Sequence, residues 1–468
     1  MKEEPKMNSV ISSGTRHHAR TLAVCSGVII SASLGVGCAD LPSEDDELVE
    51  WTATTEQAIT AAGDALPGTD AAAFAEAKAA FVTVEEIEDG VGPVFNEKAC
   101  GNCHTQGAIG GAGVQIERRF GRFVNGVFDD LANRGGSLRQ LFTVGRFTGL
   151  NGQACNAPLE VEPSEATVKN VGRLTTPLFG AGLIDALPDS AITVNANNQA
   201  AGVRGTINRV RVLLSNPADP AQTVGGTRVG RFGWKAGVAS LVQFSADAYV
   251  NEMGITTQHC VRGVSVVDFA HESKPNGVAQ PVGCDDRAPP HPAVSGIPAE
   301  TDDVVGSCAG GLSEIQDDVA EFFEFMTHLA PAPRLAIDPN INLQGGTVFN
   351  RIGCAQCHLL RDYVTPSSPA NGVPGNFSFR PRSDFLVHDI GTGDNIGNDG
   401  DSPATTRLMR TAPLWGLHHR TRLLHDGRAT SIEQAISFHG GQAAASRNAF
   451  NALNASDRNA MLTAMRSD

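Results

Sequence analysis

Two C-x-x-C-H pentapeptides, C-G-N-C-H at Cys100–His104 and C-A-Q-C-H at Cys354–His358, constrain this chain of 468 residues more than anything else in it. Thiols three residues apart share one helical turn and can bond both vinyl groups of a haem. The histidine that follows swings beneath the ring as an axial iron ligand. A structural zinc site needs four ligands, and neither pair has a second pair nearby, so zinc is the weaker reading. Cys100, Cys103, Cys354 and Cys357 are therefore expected to attach two c-type haems, with His104 and His358 on the irons.

The flanks repeat in the same register. G-P-V-F-N (Gly92–Asn96) precedes the first motif and G-T-V-F-N (Gly346–Asn350) the second, and T-T-P-L-F-G (Thr175–Gly180) is echoed by T-A-P-L-W-G (Thr411–Gly416). Each flank reads as a helix that delivers its haem, with Phe95 and Phe349 turned toward the ring edge. Duplication of one unit gives two homologous haem domains, which suits a chain too long for one ordinary core. With 51 Gly, 25 Pro and only 2 Tyr, the connections should be long and irregular. The expected fold is mainly α, two cytochrome c-like helical haem domains with long irregular loops. The first spans 81–330 with a loop insertion at 257–310, and the second spans 331–468. Ser313–Gln316 resembles a capping box. The helix it opens would place Ile315, Val319, Phe322, Met326 and Leu329 on one core-facing side and stop at A-P-A-P-R.

Lys2, Lys6, Arg16 and Arg20 precede an apolar run from Thr21 to Gly37 that is short for a membrane span, so residues 1–37 read as a signal peptide. The run ends at Cys38 in a lipobox-like context. Lipidation of Cys38 would anchor an outer-membrane lipoprotein, and plain cleavage would release a periplasmic protein. Residues 38–80 begin acidic and read as a tether. In that oxidising compartment Cys155, Cys260, Cys284 and Cys308 could form two disulfides in any of three connectivities, with at least one bridge expected among the last three. A net charge of −15 argues against nucleic acid as a partner.

A haem that only carries electrons usually has both axial positions filled, whereas one that activates an oxidant needs one open. No His or Met lies between His104 and Met253. The first iron is expected to be open or weakly held, with Met253, His259 or a lysine still able to reach it. After His358 the candidates Met409, His418, His419, His425 and His439 crowd the second half.

Leu423–Ala443 (L-L-H-D-G-R-A-T-S-I-E-Q-A-I-S-F-H-G-G-Q-A), with R-T-A-P-L-W-G, R-F-G-W-K-A (Arg231–Ala236) and N-E-M-G-I-T (Asn251–Thr256), resembles the bacterial di-haem oxidoreductase family, sometimes labelled thiol oxidoreductases. The resemblance runs over roughly residues 85–465. That family is similar in turn to bacterial di-haem cytochrome c peroxidases. The interval from their H-D-G-R-A element to the second axial ligand lands here on His439, which implies a bis-His second haem and a lower potential. The resemblance also implies Trp234 as a bridge between the haems and Glu252 as the distal carboxylate, although the spacing is two residues shorter and Lys235 replaces an acid. The resemblance further implies a Ca²⁺ between the domains, held partly by the backbone oxygens of Thr411 and Pro413. The activity implied is reduction of peroxide, or oxidation of some other substrate, at the first haem, with a redox partner protein exchanging electrons at the second. Two other functions fit the residues: a pure electron carrier with both irons saturated, and a haem-based redox or ligand sensor.

Overall fold

A computed structural model describes residues 59–149, 152–216, 218–255, 318–398 and 400–468, together with strands Thr257–Val261, Val264–Val267 and Asp303–Val304. The signal-peptide and lipobox expectations, the His259 side chain and the Ser313–Gln316 cap lie outside what is described. Among the described residues, no helix is long and apolar enough to cross a membrane.

Helix α1 (Ala71–Val82) is alanine-rich, and the Asp70 carboxylate caps it by accepting from the Ala72 and Ala73 amides at 2.8 and 3.1 Å. Its Phe74, Ala77 and Phe81 fall on one buried face. So packed structure begins inside the stretch read as a tether. The one-turn α2 (Cys100–Cys103) carries the first pair of thiols. Next come α3 (Ala181–Asp185), α4 (Asp189–Asn198) and α5 (Leu241–Ala248), the last capped by Ser240 and continuing into a π-turn over Tyr249–Met253. Helix α6 (Asp318–His328) buries Val319, Phe322 and Met326 on one side, as its sequence predicts. It receives α1 there: the Phe325 ring lies 5.4 Å from Phe74 and 4.7 Å from Phe81.

Helix α7 (Pro339–Arg351) starts with an Asp338 cap and a proline at its first position, where the missing N–H costs nothing. It packs along α10 (Ala455–Ser467), and short α8 (Ile432–Ser437) and α9 (Ala444–Asn451) complete a second core around Val348, Phe349, Leu417 and Met461. The larger core draws on both halves of the sequence, from Leu66 and Phe81 to Phe379 and Trp415.

The mainly α expectation is overturned, since among the described residues helix makes up 33% and strand 16%, spread over many small sheets. The chief departure is an antiparallel sheet in which Ile116–Val124 pairs with Val127–Asp129, Leu138–Arg139 and Val168–Leu174. Its physical origin is visible in I-E-R-R-F-G-R-F-V, where β-branched and aromatic residues are interleaved with charges that a helix would scatter around its circumference. The first flank departs as well. Val94–Phe95 is a strand paired with Phe142–Thr143, following a cis Gly92–Pro93 bond, whereas the second flank is helical as expected.

The second repeat pair does form matching turns. Gly180 (φ +67°) and Gly416 (φ +66°) both adopt the left-handed conformation at the start of a short helix. The two turns also interlock. A Cβ on Gly180 would meet the Trp415 ring at 2.7 Å, and one on Gly416 would lie 3.4 Å from Phe179. We expect Gly180→Ala to lose about 2–4 kcal/mol, from left-handed strain and overpacking together. Gly416→Ala should lose less, because its nearest neighbour is a methyl group at 3.2 Å. Urea unfolding of both variants checks this, and equal losses would mean the Trp415 contact is slack.

Candidate functional site

Two cavities are built around the two pentapeptides. In the first, of about 420 Å³, α2 presents Cys100 and Cys103, and His104 follows as the helix ends. The His104 Nδ1 lies 3.1 Å from the Gly111 carbonyl. In the second, of about 190 Å³, a single 3-10 turn presents Cys354, with Cys357 and His358 behind it, and His358 Nδ1 lies 2.8 Å from the Arg382 carbonyl. Burial pushes both imidazoles down to about 4, so they are neutral at pH 7. A neutral imidazole whose Nδ1 donates to a carbonyl keeps its Nε2 lone pair for a metal.

Each histidine is also held by an aromatic ring. Phe349 of α7 stands edge-on to His358 at 6.5 Å, as the repeat suggests. At the first site that task falls to Phe81 of α1, at 6.0 Å from His104, while Phe95 pairs with Phe142 instead. The sequence repeat placed the right residue type in the wrong element.

These residues fit haem. The second cavity is walled by Phe349, Leu414, Leu417, Ile432 and Met461, an apolar slot for a flat ring. Zinc does not fit. Among the described residues the only metal-like group is Cys357, Asp384 and His388, with one thiol and three potential ligands.

Of the five axial candidates in the second half, Met409, His425 and His439 line the second cavity, and His418 and His419 do not. His439 repeats the arrangement of the proximal histidines: its Nδ1 lies 2.8 Å from the Ala435 carbonyl at the end of α8, and it lies near enough to His358 to depress that imidazole's basicity. Trp234 lines both cavities, as do Leu174 and Thr175. Its ring N–H donates to the Leu174 carbonyl at 2.7 Å, and its ring centroid lies 6.4 Å from that of His425.

No imidazole opposes His104 among the residues lining the first cavity. They include Met253, Met326 and a group of acids instead. Glu252 sits in the π-turn, a distortion frequent at functional sites. Its Oε2 accepts from Asn96 Nδ2 at 2.8 Å, and burial, followed by the neighbouring Glu117, pushes its carboxyl up to about 8. Glu117 itself receives a two-pronged ion pair from Arg119, at 2.6 and 3.1 Å. Burial works to raise Glu117, yet the guanidinium outweighs it and holds that carboxyl below its ordinary value. Asp247 of α5, raised to about 6 by burial, completes the group. Sequence reasoning found Glu252 and missed Glu117, Arg119, Asn96 and Asp247. The alternation of Glu117 and Arg119 along one strand was the available signal.

Lys235, where the resemblance implied an acid, is fixed by its surroundings. Its ammonium bonds Asp394 Oδ1 at 3.1 Å, the Leu408 carbonyl at 3.0 Å and the Thr406 carbonyl. Arg173 holds the other Asp394 oxygen at 2.8 Å. Of the oxygens to which the resemblance assigned a Ca²⁺, the Thr411 carbonyl accepts from Ser383 Oγ at 2.6 Å and the Pro413 carbonyl from the Arg420 guanidinium at 3.0 Å. Those oxygens already have donors, one of them cationic. Cys155 is disulfide-bonded; Cys260, Cys284 and Cys308 fall where no side chain is described.

A family model described as "Di-haem oxidoreductase, putative peroxidase" matches residues 156–275 and 293–468, more than half of the chain. The first pentapeptide precedes the matched residues. No curated protein matches. Among solved structures, a hydrazine synthase from Kuenenia stuttgartiensis pressurized with xenon is similar over 96% of this chain and 100% of its own, at 11% identity and a TM-score of 0.36. At that level neither fold nor chemistry carries across.

Asp394 supplies a test of the layer between the cavities. Burial alone would raise it, but Arg173 and Lys235 hold it far below the usual carboxylate range. A depressed folded value stabilises the protein above the unfolded value of about 3.9 and loses that contribution as pH falls through the folded one. Asp394→Asn should cost about 3–5 kcal/mol at neutral pH by leaving two buried cations uncompensated. In urea unfolding that deficit should shrink only below about pH 4.

Proposed function

The chain belongs to the di-haem oxidoreductase family, and on that premise we propose that it is a c-type, peroxidase-like enzyme that reduces an oxidant at its first haem site and feeds electrons to it from its second. One observation carries the reading: two cavities of the same plan share Trp234 but differ in what else lines them, a second histidine, His439, in one and the part-buried carboxyl of Glu252 in the other.

Cys100 and Cys103 would attach the first haem and His104 would hold its iron; Cys354 and Cys357 would attach the second, between His358 and His439. Haem supplies the iron chemistry and electron storage, and the protein decides where each operates. Glu252 keeps a proton on its carboxyl inside the first cavity. A peroxide must lose a proton from one oxygen and gain one on the other before its O–O bond breaks, and a single carboxyl can serve both needs. Trp234, tied to the Leu174 carbonyl, provides the aromatic layer common to the two cavities, so a donor could deliver electrons at the second site without approaching the first. The donor would be a redox partner protein. The basic and apolar start of the chain supports export to the periplasm, with Cys38 as a lipid anchor.

Absorption spectra test the asymmetry. The ferric protein should contain a high-spin component from the first site, and His439→Ala should convert the second site to high spin while leaving the first unchanged. Wholly low-spin haem in the wild type would leave only an electron carrier. Glu252→Gln should retain both haems but lower peroxide turnover by about a hundredfold or more, the scale of a lost acid–base group; wild-type rates would remove Glu252 from the mechanism.

A further inference from the structure

The first cavity contains a second carboxyl in direct contact with the first. Glu117 and Glu252 both line it, placed so that a side-chain hydrogen bond joins their carboxyls when one of the two is protonated. Two carboxyls this close in a part-buried cavity resist ionising together, so they hold one proton between them. Their surroundings decide which oxygen keeps it. Glu117 receives the Arg119 guanidinium on both oxygens, and its cross-strand partner Arg173 adds a second positive charge. Glu252 receives one neutral amide, Asn96 Nδ2 at 2.8 Å. The other titratable groups around the pair are Asp247 on α5, which faces Arg119 and Glu117, and Cys103 and Glu97 on the side of α2.

We propose that Glu117 is a positioning residue that keeps Glu252 in its acid form: Arg119 fixes the negative charge on Glu117, and the shared proton rests on Glu252. This inference rests on the reading of Glu252 as the acid–base group and says in which state that group begins. Glu252 gives its proton first. The two carboxylates then left in contact repel, so Glu252 is driven to take the proton that the other reactant oxygen releases. One proton leaves Glu252 and one returns, while Glu117 stays ionised throughout. The direction of the Glu252 shift, upward through burial and the Glu117 charge, agrees with this arrangement. So does the opposite displacement of Glu117.

The full-length, haem-loaded protein can be examined by infrared difference spectroscopy for the carbonyl stretch of a buried protonated carboxyl, recognised by its shift in D₂O. The wild type should show the band at neutral pH, and Glu252→Gln should lose it. Glu117→Gln removes the charge while Arg119 remains, so the pH at which the band half-vanishes should fall by about one to three units. Arg119→Gln should move that midpoint upward, and Glu117→Asp should restore it toward the wild type. Haem absorption spectra matching the wild type certify that each variant is folded, and the Arg119 variant provides an independent arm should Glu117→Gln fail to fold. A wild type without the band, or a midpoint that ignores both Glu117→Gln and Arg119→Gln, overturns the proposal. Peroxide turnover by the wild type is measured separately. Its absence alongside a band that behaves as stated would sink the peroxidase reading and leave the proton-sharing pair intact.

Discussion

The buried ion triplet of Arg173, Asp394 and Lys235 ties the molecule together. Arg173 lies in the strand that pairs with the one bearing Glu117 and Arg119, Lys235 follows the indole common to both cavities, and Asp394 belongs to the segment of the second half that runs past the second cavity. One carboxylate thus fixes three segments that are distant in sequence. Each of its partners would be costly to bury alone, and together they satisfy one another. The position of Trp234 is therefore a consequence of charge neutralisation as much as of packing, because its neighbour cannot leave the Asp394 oxygen without stranding an ammonium.

The two cavities share one plan and differ in what is laid over it. Both rest on a turn bearing two thiols, a histidine tied by Nδ1 to a backbone carbonyl, and a phenylalanine against that histidine. What differs comes from the elements laid over them. His439, two residues beyond the end of α8, lines the second cavity, while a sheet and a π-turn bring Glu117, Arg119 and Glu252 to the first. A neutral imidazole keeps a lone pair for a metal, whereas carboxyls beside a guanidinium suit proton transfer.

Much of this was legible in the sequence, because it was written in local spacing. The thiols and His104 and His358 follow from the pentapeptides, and the matching turns at Gly180 and Gly416 follow from the repeated hexapeptides. His439 and Trp234 were reachable only through resemblance, since nothing in the intervals themselves says that those side chains face a common cavity. Long-range assembly was not legible. Phe95 and Phe349 stand in the same register, yet a strand pairing turns the first flank away, and α1 supplies Phe81 from further upstream. The acid group escaped notice because Glu117 and Glu252 meet through a sheet the helical expectation excluded, and a charge in an alternating strand ordinarily points to water. Lys235 shows the converse: it departs from the family pattern, and only the fold explains the change, by placing Asp394 against it.

The interlocked turns at Gly180 and Gly416 have a historical consequence. If the two halves arose by gene duplication, each ancestral turn came to lie against its own copy, with the bulky residue of one filling the gap left by the missing side chain of the other. Mutational drift at either turn is then policed by its twin. The halves were free to diverge over their cavities, where His439 and Glu252 now differ, but remained bound to inherit their shared seam together.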